Sequence, residues 1–155
     1  MYKYIWNEEL GWFDNYYPDG SKGTIWTYHL FDLLGTDYLP DDKAYRLVSH
    51  IQEGEFLGKY GVYSIARRDT VHWDLIDSDR GGGGQYAGMP GRISRNLNKR
   101  GFAGKGWDLL NRHIRYVDHF PYLPQNTRID TPEQDRSSMS LQISAGAGWE
   151  AIVFG

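Results

Sequence analysis

The sequence contains no cysteine among its 155 residues. This absence excludes disulfide bonds, thiolate metal ligands and thiol nucleophiles. The chain also lacks a run of about 18 apolar residues, the length that a membrane-spanning helix requires. Its amino terminus shows neither the apolar stretch nor the small-residue cleavage site of a signal peptide, so a cytoplasmic location is the default expectation and the compartment stays open.

Neither sign of charge is in large excess. The 17 lysine and arginine residues nearly balance the 20 aspartate and glutamate residues, which leaves a formal net charge of −3. Nucleic-acid binding depends on a basic surface that neutralises phosphates, so DNA and RNA are not expected partners. The sequence likewise predicts no membrane partner.

Aromatic residues and glycine are plentiful. Phe, Trp and Tyr make up 15% of the chain, and there are 19 glycines. This pairing suits a sugar or aromatic-ligand site framed by tight loops, and it suits an aromatic core with many turns equally well. The length and ordinary apolar content predict a single domain, residues 1–155.

Helical periodicity dominates the chain. After Pro40, apolar residues recur at helical spacing and predict an amphipathic helix with Ala44, Leu47, Val48 and Ile51 on one face. The preceding segment 24–34 is apolar on nearly every side and predicts a short buried helix that ends at Gly35. Together the two helices predict an αα-hairpin.

The same pattern recurs further along the chain. Pro90 suits the start of a helix that ends before Gly101, and residues 105–119 predict its partner. The apolar stripe predicted for that partner consists of Trp107, Leu110, Ile114 and Val117. A third apolar helix is expected from Ser144 onward, which makes the predicted fold mainly α.

If successive helices run in opposite directions, the long segments 1–22, 53–88 and 120–143 are expected to lie together at one rim of the domain. Long irregular connections of this kind are usually functional when they are ordered. Within them, residues 62–65 and 71–76 are candidates for short strands.

The densest chemical constellation is HWDLIDSDRGGGGQY, residues 72–86. Four consecutive glycines permit close approach of a ligand to the backbone. Asp74, Asp77 and Asp79, beside His72 and an arginine, are suited to proton transfer and to binding sugar hydroxyls. An acidic turn held by its own hydrogen bonds is the alternative.

Two further groups of carboxylates are candidates. Glu53 and Glu55 directly follow the amphipathic helix. Either residue is a candidate general acid or substrate ligand, and the alternative is that they are solvated residues at the end of the helix. Glu150 sits among apolar residues, where burial would suit it to acid–base work and an arginine partner would make it structural. The glycines lack the context of a phosphate loop, and neither calcium-loop nor zinc spacing occurs, so no metal or cofactor is predicted.

Five segments, among them GGGGQYAGMPGRI and HFPYLPQ, resemble the catalytic region of bacterial six-hairpin glycosidases. The resemblance covers nearly the whole chain. It implies an (α/α)6 toroid of inner and outer helices, with hydrolysis of a glycosidic bond at the end that carries the long loops. An oligosaccharide or a smaller glycoside is the implied substrate, and inversion is the commoner outcome.

The resemblance also implies roles for particular residues. Asp74, directly after Trp73, corresponds to the general acid, and Glu150 or Glu55 is the candidate second carboxylate, with Asp79 in reserve. The candidate substrate contacts are Trp26, His29, Glu53, His72, Trp73, Asp77, Gln85 and Tyr86. Of these, Trp26 and His29 suit the core equally well.

A full toroid has about twelve helices, and this sequence predicts about five. The expectation is therefore a partial toroid whose inner faces are covered by copies of itself, as a homo-oligomer, or by the remainder of a larger glycosidase. A carbohydrate-binding or assembly module without catalysis, or a truncated fragment of such an enzyme, is the alternative function.

Overall fold

The computed structural model describes residues 2–73, 83–86, 88–119 and 126–131. The helix expected from Ser144 onward lies outside these ranges. No helix within them is both long and apolar enough to cross a membrane.

The described residues form a mainly helical fold with short strands. The α-helices are α1 (Tyr2–Ile5), α2 (Asp41–Ser49), α3 (Met89–Lys99) and α4 (Ala103–Ile114), and two 3-10 helices span Tyr28–Gly35 and Arg115–Asp118. The strands are β1 (Trp6–Asn7), β2 (Trp12–Tyr16), β3 (Lys22–Thr24), β4 (Leu57–Gly58), β5 (Gly61–Val62), β6 (Gly84–Tyr86) and β7 (Asn126–Arg128). They pair antiparallel in the orders β1-β2-β3, β4-β5 and β6-β7.

The amphipathic helix predicted after Pro40 is confirmed as α2. Asp41 and Asp42 occupy its first turn, where carboxylates stabilise the positive end of the helix. The predicted apolar face is buried and consists of Ala44, Leu47, Val48 and, just beyond the helix, Ile51.

The helix predicted over residues 24–34 begins later than expected. Thr24 ends β3, and Thr27 pairs with Ile65 in an isolated bridge. The helix starts only at Tyr28, after the Thr27 side chain accepts a hydrogen bond from the backbone of the 3-10 helix. β-Branched and aromatic residues favour extended backbone, which explains the delayed start. The buried side chains then recur every three residues, as a 3-10 helix requires, at Tyr28, Phe31 and Leu34.

The second predicted hairpin is confirmed as α3 and α4. Of the apolar stripe predicted on α4, Leu110 is buried as expected, but Trp107 and Ile114 are not. Trp107 and Ile114 are 63% and 40% exposed. Gly106 lies against α3, because a Cβ there would come within 2.9 Å of the Ser94 carbonyl oxygen. This close approach turns Gly106, Leu109, Leu110 and His113 toward the core and Trp107 outward. The side chain of Val117 lies outside the description.

Arg100 joins the two hairpins. Its guanidinium donates hydrogen bonds of 2.9 Å to the carbonyl oxygens of Leu34 and Leu39, at and beyond the end of the first 3-10 helix. It also lies 3.0 Å from the Asp41 carboxylate at the start of α2. One cation therefore satisfies carbonyl groups that the helix end leaves without partners.

Two of the three long segments meet beside α4. Strand β6, in the segment 53–88, pairs with β7 from the segment 120–143, and the Tyr60 backbone N–H donates to the Ile129 carbonyl at 2.9 Å. Strand β5 shares only Val62 with the first predicted strand, residues 62–65, and Ile65 forms an isolated bridge. The second predicted strand is wrong over residues 71–73, which form a turn, and its remaining residues lie outside the description.

Candidate functional site

A cavity of about 530 Å³ lies between the segment 53–67, the outer part of α4 and the chain following β7. Its polar lining is dominated by charge and comprises Glu53, Lys59, Tyr63, Arg67, Asp108, Arg112, Arg115 and Asp130. Residues from three separate parts of the sequence therefore form one charged cleft, which we call the Tyr63 cleft.

Tyr63, Arg67 and Asp130 form the side of the cleft nearest β7. The Tyr63 hydroxyl donates a hydrogen bond to one oxygen of the Asp130 carboxylate, and Arg67 donates to the other at 2.9 Å. The Arg67 guanidinium also lies 4.9 Å from the centre of the Tyr63 ring. Burial raises the pKa of the Tyr63 phenol well above its ordinary value, and the hydrogen bond to Asp130 raises it further. Tyr63 therefore remains a hydrogen-bond donor at neutral pH.

Arg112 organises the opposite side of the cleft from α4. Its guanidinium donates to the Asp108 carboxylate at 3.0 Å and to the Glu53 carboxylate at 2.9 Å. A third hydrogen bond of 3.0 Å reaches the Gly58 carbonyl. These contacts fix the helix and the loop against each other and hold both carboxylates at the rim.

Gly58 makes the close approach of the two sides possible. A Cβ atom at this position would lie 2.0 Å from the Ile129 side chain and 2.9 Å from the Tyr63 hydroxyl. Contacts this short do not occur between real side chains, so only glycine fits without a shift. Gly58 therefore allows its loop to pack directly against Ile129, the residue that follows β7.

Trp73, near the start of the predicted catalytic segment, lies next to the cleft. Its ring lies 5.8 Å from that of Tyr63. The preceding residue, His72, is held through Nδ1 at 2.8 Å from the Asp69 carboxylate, and buried Asp69 also accepts the Trp26 backbone N–H at 3.0 Å. Asp74 follows Trp73 directly in the chain. The predicted residues Asp74, Asp77, Asp79 and Glu150 lie outside the described residues.

The Glu55 carboxylate is bound by two residues that do not line the cleft. One carboxylate oxygen lies 2.7 Å from His50 Nδ1, and the other accepts a hydrogen bond from Arg68 at 3.2 Å. The second ring nitrogen of His50 lies 3.0 Å from the Leu10 carbonyl, which can only accept, so this nitrogen is the donor. Glu55 thus ties the loop after α2 to the β1–β2 turn. Glu53, by contrast, lines the cleft and is 77% exposed.

Gln85 is fully buried, and protein groups occupy its amide. Its carbonyl accepts the Val62 backbone N–H at 2.9 Å, and its NH2 donates at 3.0 Å to both the Tyr60 carbonyl and the Thr127 hydroxyl. A substrate could reach this amide only by displacing one of these partners. Tyr86, the next residue of β6, is half-buried and packs against the core.

Trp26 and His29 have different surroundings. Trp26 is a core residue, with its ring stacked 4.8 Å from that of Trp12 and covered at 4.4 Å by the Arg68 guanidinium. This is the core alternative that the sequence left open. His29 is exposed on the 3-10 helix, where its ring contacts that of Tyr28 at 4.6 Å.

Of the eight polar cleft residues, sequence reasoning singled out only Glu53 and missed the other seven, namely Lys59, Tyr63, Arg67, Asp108, Arg112, Arg115 and Asp130. None of these residue types is unusual in a sequence. They come together only in the folded chain, where paired residues such as Tyr63 and Asp130 are as many as 67 positions apart in the sequence. The available signal was the aromatic and basic run KYGVYSIARR, residues 59–68. Within the described ranges, no three His, Asp or Glu side chains are grouped to hold a metal ion.

No protein-family model matches this chain, and no curated protein matches its sequence. Solved structures are similar to it, and two of them are glycosidases from a yeast and a bacterium. The neutral trehalase of Saccharomyces cerevisiae matches with a TM-score of 0.73 and 16% identity over 97% of this chain and 28% of that protein. The GH63 mannosylglycerate hydrolase of Thermus thermophilus, solved with glucose, matches with a TM-score of 0.73 and 15% identity over 99% of this chain and 37% of that protein.

The chain spans roughly a third of the length of these two glycosidases, as the 28% and 37% coverage shows. Within that span it shares their fold. The predicted fold class, a mainly α partial (α/α)6 toroid with short strands, is therefore confirmed.

Proposed function

We propose that this chain is a glycosidase-like domain that hydrolyses a glycosidic bond in an oligosaccharide or smaller glycoside by carboxylate acid–base catalysis. The observation that carries the proposal is the fold shared with a trehalase and a mannosylglycerate hydrolase. The Tyr63 cleft supports it, because 530 Å³ lies within the roughly 300–1,000 Å³ of typical ligand pockets.

Asp74 is the proposed general acid, which protonates the leaving oxygen as the bond breaks. Glu150 is the preferred second carboxylate, activating a water on the opposite face of the sugar, with Asp79 in reserve. Glu55 is the weaker candidate because His50 and Arg68 already occupy its oxygens. The proposed outcome is inversion, for which two carboxyl groups are typically about 6.5–9.5 Å apart.

Trp73 is the proposed stacking platform for the sugar, since it is half-buried and adjoins the cleft through Tyr63. Glu53 is a proposed hydroxyl acceptor at the rim. His29, His72, Asp77 and Tyr86 remain proposed substrate contacts. Trp26 and Gln85 are weaker candidates, because Trp26 is a core residue and protein groups already occupy the Gln85 amide.

The test is hydrolysis by the full chain of a glycoside panel that includes trehalose and mannosylglycerate. Removing a general acid typically costs about 10²- to 10⁴-fold in rate, so Asp74→Asn and Glu150→Gln are each expected to reduce turnover by that much. Asp37→Asn is the matched control, because Asp37 is fully exposed and lies outside the cleft. NMR of the first anomer released reports inversion or retention.

Full turnover by both Asp74→Asn and Glu150→Gln would show that these two residues do not catalyse the reaction. Equal losses in the Asp37→Asn control would trace the effect to folding. Absence of turnover on every glycoside, with sugar binding intact, would favour the second candidate function.

The second candidate is a carbohydrate-binding or assembly module without catalysis. It is favoured by the pairing of every carboxylate that lines the described part of the cleft: Arg112 holds Glu53 and Asp108, and Arg67 holds Asp130. Carboxylates fixed in this way offer sugar hydroxyls rigid acceptors. This function predicts that Trp73→Ala abolishes sugar binding whereas Asp74→Asn leaves it unchanged.

Self-association or assembly with further glycosidase segments is a related proposal. The exposed apolar side chains of α4, Trp107 and Ile114, support it. Light scattering after size exclusion measures it directly: a defined oligomer would support self-association, and a monomer of 17.9 kDa would contradict it.

A further inference from the structure

The charge of the Tyr63 cleft is opposite in sign to that of the whole chain. Its lining contains four cations and three carboxylates, whereas the chain carries a formal charge of −3. A concave site with the opposite sign to its surroundings concentrates the field and selects ligands by charge.

The three carboxylates of the cleft form ion pairs with two arginines, so these five groups together keep a net charge of −1. Arg112 forms ion pairs with Glu53 at 2.9 Å and with Asp108 at 3.0 Å. Arg67 forms an ion pair with Asp130 at 2.9 Å. The remaining cations of the lining, Lys59 and Arg115, therefore account for its positive excess.

Lys59 and Arg115 form no ion pair with any carboxylate in the described ranges. Both side chains are exposed, and the Lys59 ammonium lies 5.0 Å from the centre of the neighbouring Tyr60 ring. Both cations line the same cavity, and the rings of the residues that follow them in the chain, Tyr60 and Tyr116, are 5.6 Å apart. They are positioned to bind an anion that the described chain does not supply.

We propose that the Tyr63 cleft binds a sugar that carries a carboxylate group, and that Lys59 and Arg115 bind this carboxylate. The inference deepens the proposed function and rests on it for the sugar. Arginine presents a planar fork that matches a carboxylate, and hydrogen bonds between charged groups are stronger than neutral ones. The fixed acceptors at Glu53 and Asp130 are then available to the sugar hydroxyls.

The size and composition of the cleft favour a sugar acid over a free oxyanion. A volume of about 530 Å³ is far larger than phosphate requires. The three carboxylates would repel a doubly charged phosphate, whereas they accept hydrogen bonds from the hydroxyls of a singly charged sugar acid.

The experiment is an NMR titration of the full chain with D-glucuronate, D-glucose, acetate and inorganic phosphate. Glucuronate is expected to bind roughly tenfold more tightly than glucose, acetate or phosphate, the change that one charge-assisted contact typically contributes. Because the contact is exposed, the preference is expected to shrink in 0.5 M salt.

Variants test the two cations. Arg115→Gln and Lys59→Met are each expected to weaken glucuronate binding by about three- to tenfold and to leave glucose binding unchanged. Lys99→Met is the matched control, since it removes one positive charge from an exposed side chain at the end of α3 that does not line the cleft. A thermal unfolding curve verifies that each variant is folded.

Equal binding of glucuronate and glucose would overturn the inference, and so would phosphate binding as tight as that of glucuronate. An equal loss in Lys99→Met would also overturn it, because the effect would then come from net charge alone. Hydrolysis of neutral glycosides without a preference for glucuronate would refute this inference and leave the proposed function standing. Selective glucuronate binding without hydrolysis of any glycoside would support this inference and contradict the proposed hydrolysis.

Discussion

Two tryptophans distinguish two regions of this molecule. Trp12 is fully buried: its ring lies 4.8 Å and 5.4 Å from those of Trp26 and Phe56, and its indole N–H donates to the Ile25 carbonyl at 3.0 Å. Trp73 is half-buried beside the Tyr63 cleft. Some of the aromatic residues therefore form the core, whereas Trp73 lies beside the cleft.

Polar groups differ between the regions in the same way. In the core, the amide of Gln85 is occupied entirely by protein partners. In the cleft, Glu53 and Asp130 are held by arginines yet are 77% and 51% exposed. A saturated buried polar group supports the fold, whereas a fixed and exposed one is also available to a ligand.

The comparison is tested most strongly by truncating each tryptophan. Trp12→Ala is expected to lower the free energy of unfolding by about 3–5 kcal/mol, because it empties a fully buried site and removes stacked rings. Trp73→Ala is expected to cost less than about 1 kcal/mol and to abolish sugar binding. Urea unfolding measures the first effect and NMR titration the second. Equal destabilisation would place Trp73 in the core.

The second test concerns the buried amide. Gln85→Ala leaves the Val62 N–H and the Tyr60 carbonyl without their partner. Each unsatisfied buried group costs about 1–3 kcal/mol, so a total loss of about 2–6 kcal/mol is expected. Gln52→Ala, at an exposed position, is the control and should change stability by less than about 0.5 kcal/mol. If Gln85→Ala kept full stability and lost sugar binding, Gln85 would be a ligand residue.

The third test uses two glycines with different surroundings. Gly58→Ala would force a Cβ to within 2.0 Å of the Ile129 side chain, so overpacking is expected to cost about 1–3 kcal/mol and to separate the walls of the cleft. Gly104→Ala on α4 meets no atom within 4 Å and should stabilise the helix by about 0.5–1 kcal/mol. Thermal unfolding of both variants distinguishes close packing from a general intolerance of alanine.

The smallest expected effect is a pH dependence at the cleft. The folded state holds the Tyr63 proton more tightly than the unfolded chain, because burial and Asp130 raise the pKa of this phenol. The resulting stability is complete below the ordinary tyrosine pKa of about 10 and is lost as the pH rises above it. Tyr63→Phe is expected to flatten this alkaline loss and to cost about 1 kcal/mol at pH 7.

Urea midpoints between pH 8 and pH 11 measure the effect. Tyr45→Phe is the control, since Tyr45 is 66% exposed, and it should keep the alkaline loss of the original chain. A decline that is equally steep in Tyr63→Phe would assign the alkaline loss to other tyrosines.

Local patterns predicted the helices because their information lies within a few turns of the chain. Pro40 with two aspartates at the first turn located α2, and Pro90 and Gly101 bracketed α3. The same patterns misjudged the face of α4, because its rotation depends on Gly106 packing against Ser94 of another helix. Periodicity alone did not reveal that contact.

The candidate site was predictable only in part. The sequence singled out Glu53, which lines the Tyr63 cleft, and Trp73, whose ring lies beside Tyr63. It also singled out Glu55, whose place between His50 and Arg68 depends on side chains from other elements. Asp130 was overlooked because its partners lie 63 and 67 positions away.

The sequence by itself determined the helical hairpins, their punctuation by proline and glycine, and the resemblance to six-hairpin glycosidases. Propensity, capping and period act over neighbouring residues, so the chain carries that information locally. Only the tertiary structure decided which tryptophan belongs to the core, which glutamate is tied to His50, and which four cations meet three carboxylates at one cleft. These outcomes depend on contacts between segments that are distant in the sequence, and such contacts form only when the chain folds.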